Sequence, residues 1–390
     1  VTVRDLRQAG QGDVLGVVER LLAFFRRMTL QPLALYSAAS IRIGLGLLYA
    51  TYLLREYPYN DQLWGPGSPW SPALADRWLE NYHWPDLVNF IYSTLITDSP
   101  VYFQAFYGLS IIVALLYAAG WHTRAIGIVH TFCVMAFFTR SWQLTDGGDM
   151  AIMLLTFYAA FMASGRRWSL DARRHRKRME AAQGKPVPEY RFFAGRGAET
   201  EELRRRFVVL MHNGAMGVFA AQVMMIYCSA ALVKVMGLKW QEGTALYYIL
   251  QVSWLQPFPA LNNWMTGPGH LVPLAVIAYL TVFSQLLFPL AVFNRTVKYC
   301  WLLVMLGTHI GIIVTMGVFQ FSAIMIIGDL VFLPDSFWRR SAWYVKVLRT
   351  PRGKQPVPPP LPDPALPEDA KTVPTQKGQP HSARATSGHG

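Results

Sequence analysis

The chain has 390 residues, of which 53% are hydrophobic, 14% aromatic and only 15% charged, with a formal net charge of +13. A soluble domain carries about 25% charged residues, so this composition excludes an ordinary soluble enzyme. The cations lie between apolar runs rather than on one soluble face, which favours a membrane over nucleic acid as the partner.

Residues 1–13 are polar and carry no signal-peptide pattern. Residues 14–28, "VLGVVERLLAFFRRM", interleave apolar side chains with Glu19, Arg20, Arg26 and Arg27. That pattern predicts an interfacial helix lying on the bilayer, and an N-terminal unit over 1–30. A membrane domain follows over 31–335. Its apolar runs fall near 33–54, 101–120, 124–140, 149–165, 207–233, 271–293, 299–318 and 320–333. Crossing the hydrocarbon core takes about 20 helical residues, so the fourth run is short and the eighth shorter. The predicted fold is all-α, a polytopic bundle of about eight spans. "NFIYSTLI" (89–96) is too short to cross and predicts a re-entrant or surface helix.

Placing the N-terminus in the cytoplasm and alternating puts 30 of the 36 lysines and arginines in inner segments. The outer loops then carry only Arg55, Arg77, Arg140 and Lys239. This bias predicts a plasma-membrane protein with both termini cytoplasmic. The basic inner loop 166–206 contains "RRHRKRMEAAQGKPVPEYR" (173–191), a topogenic segment facing anionic lipid. The tail 336–390 is basic and then, from Pro351, Pro-rich and aperiodic, the composition of a disordered segment.

Cys133, Cys228 and Cys300 sit in or beside apolar runs without metal-ligand spacing, so they are packing residues and no metal is expected. No Walker loop, dinucleotide glycine pattern, nucleophile elbow, HExxH or CxxC occurs. Three outer segments are rich in special residues. "NDQLWGPGSPWSP" (60–72) offers Trp64 and Trp70 as interface anchors or as a ligand lid. In "TRSWQLTDGGDMAIMLL" (139–155), Asp146 and Asp149 flank Gly147 and Gly148 at the mouth of the fourth span. One carboxylate is expected to cap the helix against its positive N-terminal dipole, leaving the other free for a metal, a proton or a basic partner. In "YCSAALVKVMGLKWQEGTALYY", Lys234 ends the fifth run. A charge at membrane depth costs about 2.5–3.5 kcal/mol on insertion scales. Lys234 is therefore either a desolvated base or a snorkelling anchor.

The other ionisable residues within apolar runs are Arg42, His130, His212, His309 and Asp329. Arg42 calls for a salt bridge or carbonyl partners, and Asp329 for a cap or a pair. His130 and His212 are read as satisfied packing histidines. His309, in "GTHIGIIVTMGVF", lies among small residues that permit close helix approach. Lys234, His309 and Asp149 are expected to line one cavity in the outer half of the bundle.

The order "RIGLGLLYA", "LWGPGSPWSP", "DGGD", "RRWSLD", "SAALVKVMGLKWQEGTALYY" and "GTHIGIIVTMGVFQF" resembles the HTTM domain over roughly residues 30–335. This is the membrane domain of vitamin K-dependent gamma-carboxylases and their bacterial relatives. Among subgroups the chain is most similar to the bacterial SdpB-like proteins. The resemblance implies a multi-pass protein that assists maturation or export of a secreted antimicrobial peptide, with that peptide and a co-encoded membrane partner. It also implies two alternatives: a modifying enzyme using a reduced quinone, or a small-solute or lipid transporter. Aligned on Trp240 and Gly243, Lys234 matches the first lysine of the carboxylase pair, and Val235 stands where the second is the base. His309 matches a late histidine, and Asp149 falls near another. The short tail predicts no lumenal substrate domain. The resemblance thus nominates Lys234, His309 and Asp149 as catalytic, and Arg42, Asp146, Trp240 and Glu242 as substrate-binding.

Overall fold

The computed structural model describes residues 23–26, 28–81, 84–183 and 198–350. The described chain is all-helical, with no strand among the described residues. Eight helices occupy the eight apolar runs: α1 Leu35–Glu56, α2 Pro100–Ala119, α3 Thr123–Arg140, α4 Gly147–Ala160, α5 Ala198–Met236, α6 Leu271–Ala291, α7 Arg295–Met316 and α8 Phe319–Asp329. Local chemistry sets their ends. Ser99 caps α2 ahead of Pro100, and Gly120, at φ 72°, closes it in the left-handed region. Asn294 caps α7, and Gly317 ends it at φ 70°. Helix α5 starts well before its apolar run. Its charged first turns are held by Glu201–Arg204, Glu202–Arg205 and Glu202–Arg206 pairs at helical spacing. At 39 residues it is roughly 58 Å long.

Among the described residues five segments are long and apolar enough to cross a membrane: Leu35–Leu63, α2, most of α5, α6 and α7. Helix α6 turns Val272, Val276, Leu280, Phe283, Leu287 and Leu290 outward, an apolar strip with no protein against it. The short helices are the interior ones. Helix α4, with 14 residues, packs against α1, α3, α5 and α8. Helix α8, with 11 residues, packs against α1, α4, α5 and α7. Each of these two short helices thus has protein on several sides.

Hydrogen bonds sort the connections into two ends of the bundle. At one end the fully buried Arg42 guanidinium donates to the carbonyls of Tyr117 (2.8 Å), Ala118 (2.5 Å) and Trp168 (2.6 Å). The Asp171 carboxylate accepts from His122 N (3.0 Å), Thr123 N (2.7 Å) and Thr123 Oγ1 (2.7 Å). His212 Nδ1 accepts from Ala163 N (3.2 Å), so Nε2 carries the proton that Leu33 O accepts at 2.7 Å. Above this knot α1 and α2 touch backbone to backbone, because a Cβ on Gly46 would lie 2.6 Å from Ala114 O.

At the other end, buried Arg140 donates to the carbonyls of Leu95 (3.2 Å), Gly65 (3.3 Å) and Trp70 (2.8 Å), and Ser141 Oγ to Leu63 O (2.8 Å). Arg140, expected among the outer-loop cations, instead fastens these loops from within. The "WGPG" turn needs its first glycine for space: a Cβ on Gly65 would lie 2.7 Å from Asp61 Cα.

Other expectations are met in part. Residues 89–96 fall on a surface helix, Asp86–Ser93, packed on α3. The basic loop opens with a helix, Leu170–Ala181, capped by Ser169. His212 is satisfied as expected, but buried His130 is not. Its ring stacks on Tyr117 (4.8 Å) and meets Tyr49 edge-on (5.4 Å), and neither ring nitrogen has a partner. The interfacial helix expected over 14–28 falls largely outside the described residues, as does the tail from Pro351. The chain divides into Val1–Trp338, which holds the bundle, and Arg339–Gly390, whose described part is helical.

Candidate functional site

The last four helices enclose a polar cluster. Near the end of α5, Lys234 Nζ donates to Gln285 Oε1 on α6 (2.9 Å) and to Ala230 O (3.3 Å). The ammonium also lies 5.4 Å from the centre of the Trp240 ring, a cation–π distance. Among the described residues no carboxylate pairs with it. Two turns earlier on the same face of α5, the Tyr227 hydroxyl donates to Asp329 Oδ2 on α8 (2.9 Å). The same oxygen lies 3.2 Å from His309 Nε2 on α7. A phenol has one proton, and here it goes to Asp329. The oxygen then accepts from His309 Nε2–H, so this network assigns the Nε2–H tautomer. His309 Nδ1 and Asp329 Oδ1 are buried without partners. Phe288 and Phe321 pack against the group. Such a chain can relay a proton between a carboxylate, a phenol and an imidazole.

The second site is a half-open cleft of about 220 Å³ at the end of the bundle that Arg140 fastens. Tyr49 and Tyr52 of α1, Trp64, Phe137 of α3, Asp149 of α4 and Gln320 of α8 line it. Asp146 Oδ1 accepts from Gly148 N (2.6 Å) and Asp149 N (3.0 Å), while Asp149 Oδ2 accepts from Asp146 N (3.2 Å). This is a capping box with both acids in it. The remaining Asp149 oxygen accepts from Gln320 Nε2 (2.7 Å). The expectation that one of these carboxylates stays free is therefore corrected: the short DGGD spacing serves the helix start with both. Gly148 lets α8 come close, since a Cβ there would lie 3.1 Å from Phe321 Cα. Arg55 lies 5.5 Å from the centre of the Tyr52 ring, bonded to Glu56 (2.6 Å) and Gln320 (3.2 Å). The Tyr49 hydroxyl belongs to the lining and is buried without a partner.

The nominated residues thus fall into separate places. Lys234 and His309 share the α5–α8 cluster, bridged by Tyr227. Asp149 lines the cleft, where Lys234 and His309 do not. The two sites are linked through α8, where Gln320 holds Asp149 and the next residue, Phe321, packs on His309. Arg42 lies at the opposite end of the bundle from the cleft, with three carbonyls on its guanidinium, and there it acts as a clamp. Trp240 faces Lys234, and Glu242 is exposed and paired with Lys239 (3.4 Å). Asp146 is the N-cap. Sequence reasoning missed Tyr227, Gln285, Gln320 and the Tyr49–Tyr52 pair. Gln285, a lone amide in "TVFSQLLFPL", carried a readable signal. A tyrosine in an apolar run carried none.

The fold and site define an all-helical protein, with helices suited to a membrane and a buried polar cluster in one half. Comparison with protein-family models, with curated proteins and with solved structures gives no match. Among the described residues no group of three or more His, Cys, Asp or Glu comes together as a metal site would require.

Proposed function

We propose that the protein is an HTTM-type multi-pass protein of the plasma membrane, with eight spans and both termini in the cytoplasm, that assists maturation or export of a secreted peptide. The observation that carries this reading is the cleft. In the proposed orientation it opens outward, aromatic side chains and acidic groups wall it, and a buried tyrosine hydroxyl in its lining lacks a partner. Peptides offer both apolar side chains and hydrogen-bonding groups to such a lining. A photo-crosslinking side chain at Leu144, exposed at the rim, should capture the co-encoded secreted peptide in intact cells. Capture should fall at least fivefold in a Tyr52→Ala background. Crosslinks to lipid alone would remove the peptide reading.

A second reading, a quinone-dependent modifying enzyme, is favoured by the Lys234 site. A lysine whose side-chain partner is a neutral amide rather than a carboxylate, beside a Tyr–His–Asp relay, supports this reading. Lys234→Arg keeps the charge and reach of an anchor, but its guanidinium effectively never deprotonates. Activity in a peptide-maturation assay should be lost in both Lys234→Arg and Lys234→Met. Full activity of the arginine variant would end the catalytic reading and leave the scaffold reading standing.

A further inference from the structure

The start of α1 and the helix Leu170–Ala181 enclose a second half-open cleft, of about 1030 Å³, at the end of the bundle opposite the first. Arg166, Arg167, Arg173, Arg176 and His175 line it, against one acid, Asp171. That acid is committed, since its oxygens take His122 N, Thr123 N and Thr123 Oγ1. The cleft is therefore strongly positive, and its cations converge from two sides of one turn. Among the described residues, His175 Nδ1 is buried there without a partner. The walls are also aromatic. Tyr36 and Trp168 meet edge-on at 5.2 Å, and Arg167 lies 5.5 Å from the centre of the Tyr36 ring.

Depth decides what such a cleft meets. Leu35, where apolar α1 begins, belongs to the same lining. Tyr and Trp beside the first turn of a membrane-suited helix mark the headgroup layer. Arginines at that level face phosphates, and their planar forks match phosphate oxygens two at a time. A single phosphate would leave most of 1030 Å³ empty.

We propose that this cleft binds the headgroup of an anionic phospholipid, with a diphosphate headgroup of the cardiolipin type as the best fit. Four arginines around a space of this size suit two phosphates joined by a short polyol, and basic pockets at helix ends are a known setting for such lipids. The inference needs only the membrane-suited helices and is independent of the peptide reading.

The test uses the full chain, purified and delipidated, with binding read by native mass spectrometry and by the shift in melting temperature. The probes are cardiolipin, phosphatidylglycerol, phosphatidylcholine and, separately, inorganic phosphate and pyrophosphate. Cardiolipin should be retained at least tenfold better than phosphatidylcholine. The Arg173→Gln/Arg176→Gln variant should cut that retention at least fivefold, since both side chains line the cleft, are exposed and lie outside the Arg42–Asp171 knot. Lys177→Gln/Arg178→Gln, on the same helix but outside the lining, should leave it unchanged. Equal loss in the two double variants would reduce the effect to bulk surface charge and overturn the site. Stabilisation by pyrophosphate as strong as by lipid would reassign the cleft to a free phosphate compound. Equal retention of phosphatidylcholine would remove it altogether.

Discussion

Arg42 and Arg140 show how a buried cation is used here. Each is sealed from solvent, and each gives its protons to carbonyls at helix ends and turns. A buried acceptor that loses its donor costs about 1–3 kcal/mol. Arg42→Leu, which strands the Ala118 and Trp168 carbonyls, should therefore destabilise the detergent-solubilised protein by at least about 2 kcal/mol, read as a large fall in melting temperature. A substitution of Arg173, exposed on the short helix, should leave that temperature nearly unchanged. The sequence marked Arg42 correctly as needing carbonyls or an acid, because a guanidinium in an apolar run has few options. It could not assign Arg140, which sits at a run's edge where exposure and burial look alike. Asp329 was visible but its partner was not: Tyr227 lies 102 positions away, and only the packing of α8 against α5 brings them together.

At the level of single helices, each apolar run falls on a helix and five segments are long enough to cross a membrane among the described residues, since a helix buried in protein or lipid must be apolar along most of its length. Their ranks were not readable. The two shortest runs became the interior helices α4 and α8, because interior position depends on which helices pack together and leaves no mark in any one of them. The DGGD motif was legible as a helix start, and its division of labour was not, because a capping box needs the second acid to reach back to the N-cap nitrogen. Asp146→Ala removes that cap and should cost about 1 kcal/mol. Gly148→Val should cost more, because its side chain would press on the α8 backbone at Phe321, where no rotamer change gives relief. Comparing the two variants by thermal denaturation separates capping from helix contact; a larger loss in the alanine variant would contradict this account of Gly148.

For the whole molecule, the charge bias predicts an orientation that single cysteines can check. Asp76 is exposed on the helix Pro72–Glu80, and Gln183 is exposed beyond the basic helix. An impermeant thiol reagent on intact cells should modify Asp76→Cys and spare Gln183→Cys until lysis. Reversal of that pattern would invert the proposed topology, and with it the cleft's access to a secreted peptide.

The position of α8 has a consequence for how the molecule is made. It is the last of the eight helices to leave the ribosome, yet α1, α4, α5 and α7 all pack on it. Until it arrives, the nascent bundle has an unfilled seam. The Asp149–Gln320 and Tyr227–Asp329 bonds, which join early helices to α8, cannot form. Eleven residues are also too few to be released into lipid alone, so α8 must enter by docking into that seam. A nascent chain stalled at Met316 should accordingly be a substrate for membrane quality-control proteases, while one released after Asp335 should survive them.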